Sequence, residues 1–165
     1  MLSGQIREDQ NTDISQKAGD IESRLLNWNG ATEYRPSCGD NWEAGFEAYR
    51  IAALIYLYMV PMRLRRTDSR VQSVVAAACR LLGGLGEGSE VEKPLIWVYF
   101  LVGSGAQTDE HRQFVIRRME IASAISGLGA WDGALKVVRG MWETGDTLWN
   151  TLMIAEQHGV SFLFV

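Results

Sequence analysis

The stretch from Pro94 to Arg112, PLIWVYFLVGSGAQTDEHR, decides how the rest of the chain is arranged. It is apolar or aromatic from Pro94 to Val102, carries no charge there, and stops at the Gly103-Ser104-Gly105 break. A segment that is apolar on every face leaves no side for water, so the sequence predicts that it is buried all round. The segments that precede and follow it must therefore wrap around it.

Capping signals on both sides predict that this central stretch is mostly helical. Ser89 followed by Glu92 has the spacing of a capping box at a helix start. Thr108 followed by two carboxylates is typical of the next helix start, since acidic residues in a first turn complement the helix dipole. Gly103-Ser104-Gly105 is then expected to be a joint between helices. The glycine-rich segment 83–88 lacks the Lys-Ser/Thr of a phosphate loop, so we do not expect it to bind nucleotides.

The remaining segments show helical periodicity, and none alternates with the period of two that a surface strand requires. Asp40, Asp68 and Asp146 are predicted to cap helices, and Pro61 and Gly127 are predicted to end them. The predicted helices span about residues 13–28, 40–60, 69–82, 89–102, 108–126, 131–143 and 147–158. The sequence therefore predicts an all-α fold, with about seven helices packed as an irregular array around a buried central helix.

The length and composition predict one domain. The chain has 165 residues, of which 47% are hydrophobic and 22% are charged, as in ordinary globular proteins. Residues 1–12 are polar and are predicted to form a flexible N-terminal tail, and residues 13–165 are predicted to form a single helical domain. The N-terminus is not a signal peptide, and the longest apolar run, residues 51–62, is too short to span a membrane. We expect no membrane contact.

The charge and the cysteine content exclude several classes of function. The formal net charge is -4, which disfavours direct nucleic-acid binding by this chain. The basic clusters at residues 63–66 and 117–118 are predicted to be solvated helix faces. Cys38 and Cys79 are the only cysteines, and they do not have the spacing of a zinc site. We expect no metal and no cofactor.

No catalytic constellation is visible in the sequence. His111 lies in a charged helix start and His158 at a helix end, where a surface position is the common outcome. The pair Asp109-Glu110 has no second acidic cluster to complete a metal site. No carboxylate stands within an apolar stretch, whereas catalytic acids and bases are usually marked by burial. The sequence therefore predicts that the protein is not an enzyme.

The aromatic residues offer the best candidates for a ligand pocket. The chain has six tryptophans, a high number for its length. Tryptophans in a helical core most often serve packing, and the alternative is an apolar pocket between helices for a small hydrophobic effector. The candidate pocket residues are Trp97, Tyr99, Trp142 and Trp149.

Three segments together resemble the fungal-specific transcription factor domain, the helical regulatory region found in many fungal zinc-cluster regulators. They are EAYRIAALIYLY from Glu47 to Tyr58, the central stretch from Leu95 to Arg112, and VRGMW from Val138 with the residues that follow to Trp149. Their order and spacing agree with the family over about residues 40–155. The positions that match the family motifs, which we expect to be structural, are Tyr49, Arg50, Trp97, Gly103, Ser104, Arg112, Trp142 and Asp146.

The sequence also departs from the family pattern at defined places. Val98 follows Trp97 where the family has a proline, and Gly105 and Leu148 stand where the family often has acidic residues. With two cysteines, this chain does not contain the six-cysteine DNA-binding cluster.

The resemblance implies a nuclear regulatory domain that senses a hydrophobic small-molecule effector or binds a protein partner or a second copy of itself. The alternative is a small-molecule-binding protein or enzyme of fungal secondary metabolism, derived from such a domain and acting in the cytoplasm. A third possibility is a degenerate remnant with no activity of its own.

Overall fold

The computed structural model of the protein describes residues 2–28 and 42–157, with side chains described for residues 13–28 and 42–153. Seven α-helices and one short 3-10 helix make up these residues, and no strand occurs among them. The helices are α1 (Leu2–Leu26), α2 (Trp42–Met59), α3 (Ser69–Gly83), the 3-10 turn (Lys93–Leu95), α4 (Ile96–Gly105), α5 (Asp109–Ser126), α6 (Gly129–Thr144) and α7 (Leu148–Gln157). The predicted all-α fold is confirmed.

Helix α4 is the buried centre of the fold. Every residue from Val98 to Gly105 is buried, as the uninterrupted apolar run predicts. Helices α2, α3, α5 and α6 all pack against it. The predicted arrangement around a central helix is therefore confirmed.

Gly103 and Gly105 allow the neighbouring helices to approach α4 closely. A Cβ atom on Gly103 would lie 2.9 Å from Val138 Cγ1 of α6, and a Cβ atom on Gly105 would lie 2.7 Å from Val75 Cγ2 of α3. Real Cβ atoms are essentially never found at such distances, so any larger residue would push these stiff valine side chains away. The predicted break at Gly103-Ser104-Gly105 is wrong in its position, because α4 continues through Gly105 and ends at the Ala106 cap. These residues instead form the last turn of α4, where the neighbouring helices pack closely.

Several of the predicted helix boundaries are confirmed by their caps. The Asp68 carboxylate accepts from the Arg70 N–H, and the Thr108 hydroxyl accepts from the His111 N–H. Gly127 adopts the left-handed conformation after α5, with φ 65°. At α7 the predicted Asp146 cap is wrong, because the backbone N–H of Asn150 donates to Thr147 Oγ1 instead.

Helix α1 begins at Leu2, well before the Asp13 start that the periodicity predicted. The flexibility of residues 1–12 stays a prediction. Within the described side chains of α1, Ala18 is buried, whereas Ile14 and Ile21 are 50% and 44% exposed. The predicted apolar seam is therefore only partly covered by α2. The predicted loop 29–40 with its Asp40 cap, Cys38 and His158 lie outside the described residues.

Among the described residues, no helix combines the length and the apolar character that crossing a bilayer requires.

Candidate functional site

A groove with a volume of about 920 Å³ opens where α1 passes the link between α2 and α3 and the start of α7. We call it the Trp149 groove. It is lined by Ile14, Ser15, Ala18, Val60, Pro61, Met62, Arg63, Leu64, Arg70 and Trp149. Most of this lining is apolar, and its cations come from two arginines. Volumes of this size are typical of small-molecule sites.

Arg63 has the most unusual backbone in the groove. Its φ is 53°, and it is the one non-glycine residue with positive φ in the described part of the chain. Hydrogen bonds on either side hold this turn, from Met62 N–H to Leu57 O at 3.1 Å and from Leu64 N–H to Tyr58 O at 2.8 Å. Residues held in this sparsely populated region cost about 1–3 kcal/mol and are concentrated at functional sites. The turn holds Arg63 at the groove.

The Arg63 guanidinium lies over the indole ring of Trp149, with Cζ 4.6 Å from the ring centroid. This is a cation–π contact. It links the turn after α2 to the first turn of α7. The other arginine of the lining, Arg70, has its Cζ 5.7 Å from the Tyr58 ring centroid. The two cations thus come from different parts of the chain, Arg63 from the turn after α2 and Arg70 from the first turn of α3.

A second groove, with a volume of about 1030 Å³, lies between α1 and the first half of α2. We call it the Trp28 groove. It is lined by Ile21, Arg24, Leu25, Asn27, Trp28, Phe46, Tyr49 and Arg50. The side chains of Ile21 and Trp28 are each 44% exposed in it, and Tyr49 is 41% exposed.

The four aromatic residues predicted to form a ligand pocket are placed in different surroundings. Trp149 lines the Trp149 groove, and neither groove is lined by the other three. Trp97 is half-buried and stacks on Phe100 at a centroid distance of 5.7 Å. Tyr99 is fully buried, and Trp142 is half-buried and donates to the Gly103 carbonyl at 2.9 Å. Of the four, the structure therefore associates only Trp149 with a large groove.

The C-terminal end of α4 is capped by side chains from other helices and links. The last carbonyls of a helix have no partner within it and need donors when they are buried. Four successive carbonyls have such donors here: Trp142 Nε1 to Gly103 O at 2.9 Å, Arg66 Nε to Ser104 O at 3.0 Å, Gln72 Nε2 to Gly105 O at 2.8 Å and Arg112 Nε to Ala106 O at 3.4 Å. We call this cluster the α4 junction.

The α4 junction brings together most of the positions that match the family motifs. Arg66 Nη2 also donates to the Asp146 carbonyl at 3.2 Å, and Arg112 Cζ lies 5.3 Å from the Trp142 ring centroid. Ser104 is fully buried, and its hydroxyl donates to the Phe100 carbonyl within α4. Except for Trp97, which lies in the first turn of α4 and stacks on Phe100, the motif residues of the second and third segments thus meet at one helix end.

Tyr49 and Arg50, the motif positions of the first segment, tie α2 to its surroundings. The Tyr49 hydroxyl donates to the Pro94 carbonyl at 2.6 Å. Arg50 pairs with Glu47, and its Nη1 donates to the Leu25 carbonyl near the end of α1 at 2.9 Å. The hydrogen bond to Glu47 raises the pKa of the Arg50 guanidinium. Both residues therefore serve docking between helices.

The sequence matches the family model of the fungal specific transcription factor domain over residues 2–163. The chain belongs to this family. No curated protein and no solved structure matches the chain. Since the family is one of transcription regulators, the role of the domain is regulatory.

This fungal transcription factor domain also contains a buried ionic network that its sequence did not reveal. Glu92 and Arg118 are 1% and 3% exposed, and Arg118 Nε donates to Glu92 Oε1 at 2.7 Å. The Tyr99 hydroxyl donates to the same carboxylate oxygen. Both terminal nitrogens of Arg118 donate to the Leu85 carbonyl at 3.1 and 3.2 Å. The network joins segment 85–92 to α4 and α5.

The network corrects three predictions. Arg118 is not on a solvated face, and Glu92 is a buried carboxylate. Ser89 and Glu92 do not form a capping box, because Ser89 Oγ has no hydrogen-bond partner in the described part of the chain and Glu92 Oε2 accepts from the Gly88 N–H. Burial and then the hydrogen bond to Glu92 raise the pKa of Tyr99 well above its usual value. The side chains of Glu92, Tyr99 and Arg118 all have hydrogen-bond partners, which favours a stabilising role for the network over a reactive one.

Metal binding and acid–base catalysis both depend on how acidic and histidine side chains are placed in the described part of the chain. Within residues 2–28 and 42–157, no three His, Cys, Asp or Glu side chains are close enough to hold a metal ion. Glu110 is exposed, and His111 and Arg112 are half-buried, but none of the three lines either groove.

Proposed function

We propose that this domain is the effector-sensing module of a fungal transcription regulator that acts in the nucleus. In this proposal the effector is a hydrophobic small molecule, and it binds in the Trp149 groove. The observation that carries the proposal is the groove itself, because its largely apolar walls come from three separate parts of the chain. A ligand that contacts all three parts favours the arrangement in which they lie together.

Helix α1 is the element whose position such a ligand would control. Its described contacts with the body are few: Ala18 is buried, Glu22 accepts from the Tyr58 hydroxyl at 2.7 Å, and the Leu25 carbonyl accepts from Arg50. Elements with few buried apolar contacts open at low free energy. A ligand that binds only the docked state stabilises that state by about 2.7 kcal/mol at a hundred times its Kd. That amount is enough to shift a regulatory equilibrium.

Binding of a neutral apolar fluorophore, N-phenyl-1-naphthylamine, tests the proposal. We expect its fluorescence to rise on titration with the protein, Trp149→Ala to reduce the affinity, and Trp28→Ala to leave it unchanged. Trp28 is the matched control, since it is a half-exposed tryptophan at the other groove. Equal effects of the two substitutions, or no binding at all, would contradict an effector site at Trp149.

Hydrogen exchange tests the regulatory part of the proposal separately. With the fluorophore bound, the backbone amides of α1 around Ala18 should exchange more slowly, while those of the central helix α4 keep their rates. Binding without any change in α1 would mean that the groove holds a ligand but does not couple it to the position of the helix.

A second candidate function is self-association through the Trp28 groove. Its exposed tryptophan, tyrosine and arginine side chains are of the types enriched in protein interfaces. Sedimentation equilibrium should then show a dimer that Ile21→Glu dissociates and that Ile14→Glu, in the other groove, does not. A monomer at all concentrations would exclude this candidate.

The alternative of a stand-alone binding protein of secondary metabolism shares the Trp149 groove but needs no nuclear location. Imaging of the tagged full chain in a fungal cell separates the two proposals. Accumulation in the nucleus supports the regulator, and a cytoplasmic location supports the stand-alone protein.

A further inference from the structure

We propose that the effector of the Trp149 groove is an amphipathic anion, a molecule with an apolar body and one carboxylate or similarly charged group that Arg63 and Arg70 bind. This inference rests on the proposed function of the groove and adds the charge of its ligand. Among the residues whose side chains the structure describes, the lining holds two guanidinium groups and no acidic side chain.

Arg63 is the cation best placed to receive the anion. No carboxylate of the described residues lies within salt-bridge distance of it, and its described contact is with the Trp149 ring. The left-handed turn is fixed by hydrogen bonds on both sides. An arginine on a fixed turn loses little freedom on binding, and its planar group suits two parallel hydrogen bonds to a carboxylate.

Arg70 supplies a second positive charge from the first turn of α3. Its nearest described carboxylate is that of Asp68, with Nε 3.5 Å from Oδ1. Asp68 is already engaged as the cap of α3, where it accepts from the Arg70 N–H, and it does not line the groove. The lining thus contributes two cations, and of these only Arg70 has a carboxylate of the described residues within salt-bridge distance, so the groove keeps an excess of positive charge.

The neighbouring arginines do not share this role. Arg66 is half-buried, and its guanidinium is used by the carbonyls of the α4 junction. Burial, together with the nearby charge of Arg112, lowers the pKa of Arg66. Arg65 is exposed and does not line the groove. Arg65 is therefore a control with the same charge, two residues away from Arg63.

The apolar body of the ligand would lie against the part of the groove that has no charge. Val60, Pro61 and Leu64 form the side of the link, and Ile14 and Ala18 form the side of α1. An anionic group at the arginines and an apolar body between α1 and the link would hold these elements together. A neutral hydrophobic molecule makes only the second of these contacts.

Two fluorophores that differ by one anionic group test the inference. N-phenyl-1-naphthylamine is neutral, and 1-anilinonaphthalene-8-sulfonate is the same molecule with a sulfonate. We expect the sulfonate to bind roughly tenfold more tightly, as one charge-assisted contact in a partly exposed site would give. The preference should weaken with added salt, because the ionic contact is screened.

Substitutions assign the preference to Arg63. Arg63→Gln should bring the two affinities together, and Arg65→Gln should leave the ratio unchanged. Arg63→Gly provides a second variant that removes the charge and relieves the left-handed backbone, so a loss of preference in it cannot come from impaired folding. Thermal unfolding of each variant confirms that a folded protein is being compared.

The possible outcomes separate the inference from the proposed function. Equal binding of both fluorophores to the natural protein would overturn the anionic ligand and leave a hydrophobic effector in place. Binding of neither would overturn both. The inference would also be overturned if Arg65→Gln removed the preference for the sulfonate as fully as Arg63→Gln does. The preference would then reflect the general positive charge of the link and not a contact with Arg63.

Discussion

Replacing Arg118 by methionine tests the buried ionic network directly. The substitution keeps most of the side-chain volume but leaves the Glu92 carboxylate without its cation and the Leu85 carbonyl without its two donors. Removing one partner of a buried ion pair costs about 3–5 kcal/mol, because the remaining charge is held away from water. We expect the free energy of unfolding to fall by this amount.

The neighbouring Arg117 provides a matched control on the same helix. Its side chain is 70% exposed and pairs with Glu87 at 2.9 Å, whereas the Arg118 side chain is 4% exposed. Exposed ion pairs contribute about 0–1 kcal/mol. Arg117→Met should therefore have at most a small effect, although it removes the same charge from the same turn.

Urea unfolding followed by far-UV circular dichroism measures the free energy of unfolding of both variants. Thermal unfolding gives a second measure: for a chain of this size a loss of about 1 kcal/mol lowers Tm by about 2–4 °C, so Arg118→Met should lower Tm by about 6–20 °C. In the double variant Glu92→Gln/Arg118→Met, the loss should be smaller than the sum of the single losses by about 1–3 kcal/mol, since no buried charge remains. An Arg118→Met variant as stable as Arg117→Met, or additive single losses, would refute the coupling of the two charges.

Three further predictions concern α4, the cysteines and the docking of α1. In thermal unfolding, Gly103→Ala should destabilise the protein by about 1–2 kcal/mol, because the added Cβ would meet Val138. Gly140→Ala on α6 should instead stabilise it by about 0.5–1 kcal/mol, because no atom lies within 4 Å of the added Cβ and alanine favours the helix. Burial and then the charge of Glu110 raise the pKa of the Cys79 thiol from 9.0 to about 12, so its thiolate fraction at neutral pH falls roughly a thousandfold. In a Cys38→Ser variant, where Cys79 is the remaining thiol, a thiol reagent should therefore label the folded protein far more slowly than the unfolded protein. Burial and then the hydrogen bond to Glu22 raise the pKa of Tyr58 from 10.0 to about 12. The contribution of Tyr58 to the free energy of unfolding is therefore complete below pH 10 and is lost as the pH rises towards 12. In urea unfolding over this pH range, the stability of Tyr58→Phe should decline less steeply than that of the natural protein.

The sequence by itself determined the fold class, because its signals are local. The uninterrupted apolar run at residues 94–102 implies burial on every face whatever surrounds it, and α4 is buried all round. Asp68 and Thr108 cap helices through bonds that span two or three residues, so their roles are readable from neighbouring positions. The motif order also sufficed to indicate the family.

Tertiary structure alone decided which charged residues are buried. Glu92 and Arg118 lie 26 positions apart, and nothing local distinguishes Arg118 from the exposed Arg117 beside it. Arg66 likewise reads as part of a basic link, yet it caps carbonyls 38 and 80 positions away. Such pairings depend on which helix ends meet, and helical periodicity carries no information about that.

The candidate site was the least predictable part of the protein. Of the four aromatic residues that the sequence proposed for a pocket, Trp149 lines a large groove, and Tyr99 and Trp142 make hydrogen bonds at the centre of the fold. Aromatic side chains carry the same sequence signal whether they fill a core or line a groove. A groove, by contrast, is space left between elements that pack incompletely, here α1 against α2 and the link to α3. The sequence thus determined that this protein is a bundle of helices around one apolar centre, and only the packing of those helices decided where Arg63 and Trp149 would meet.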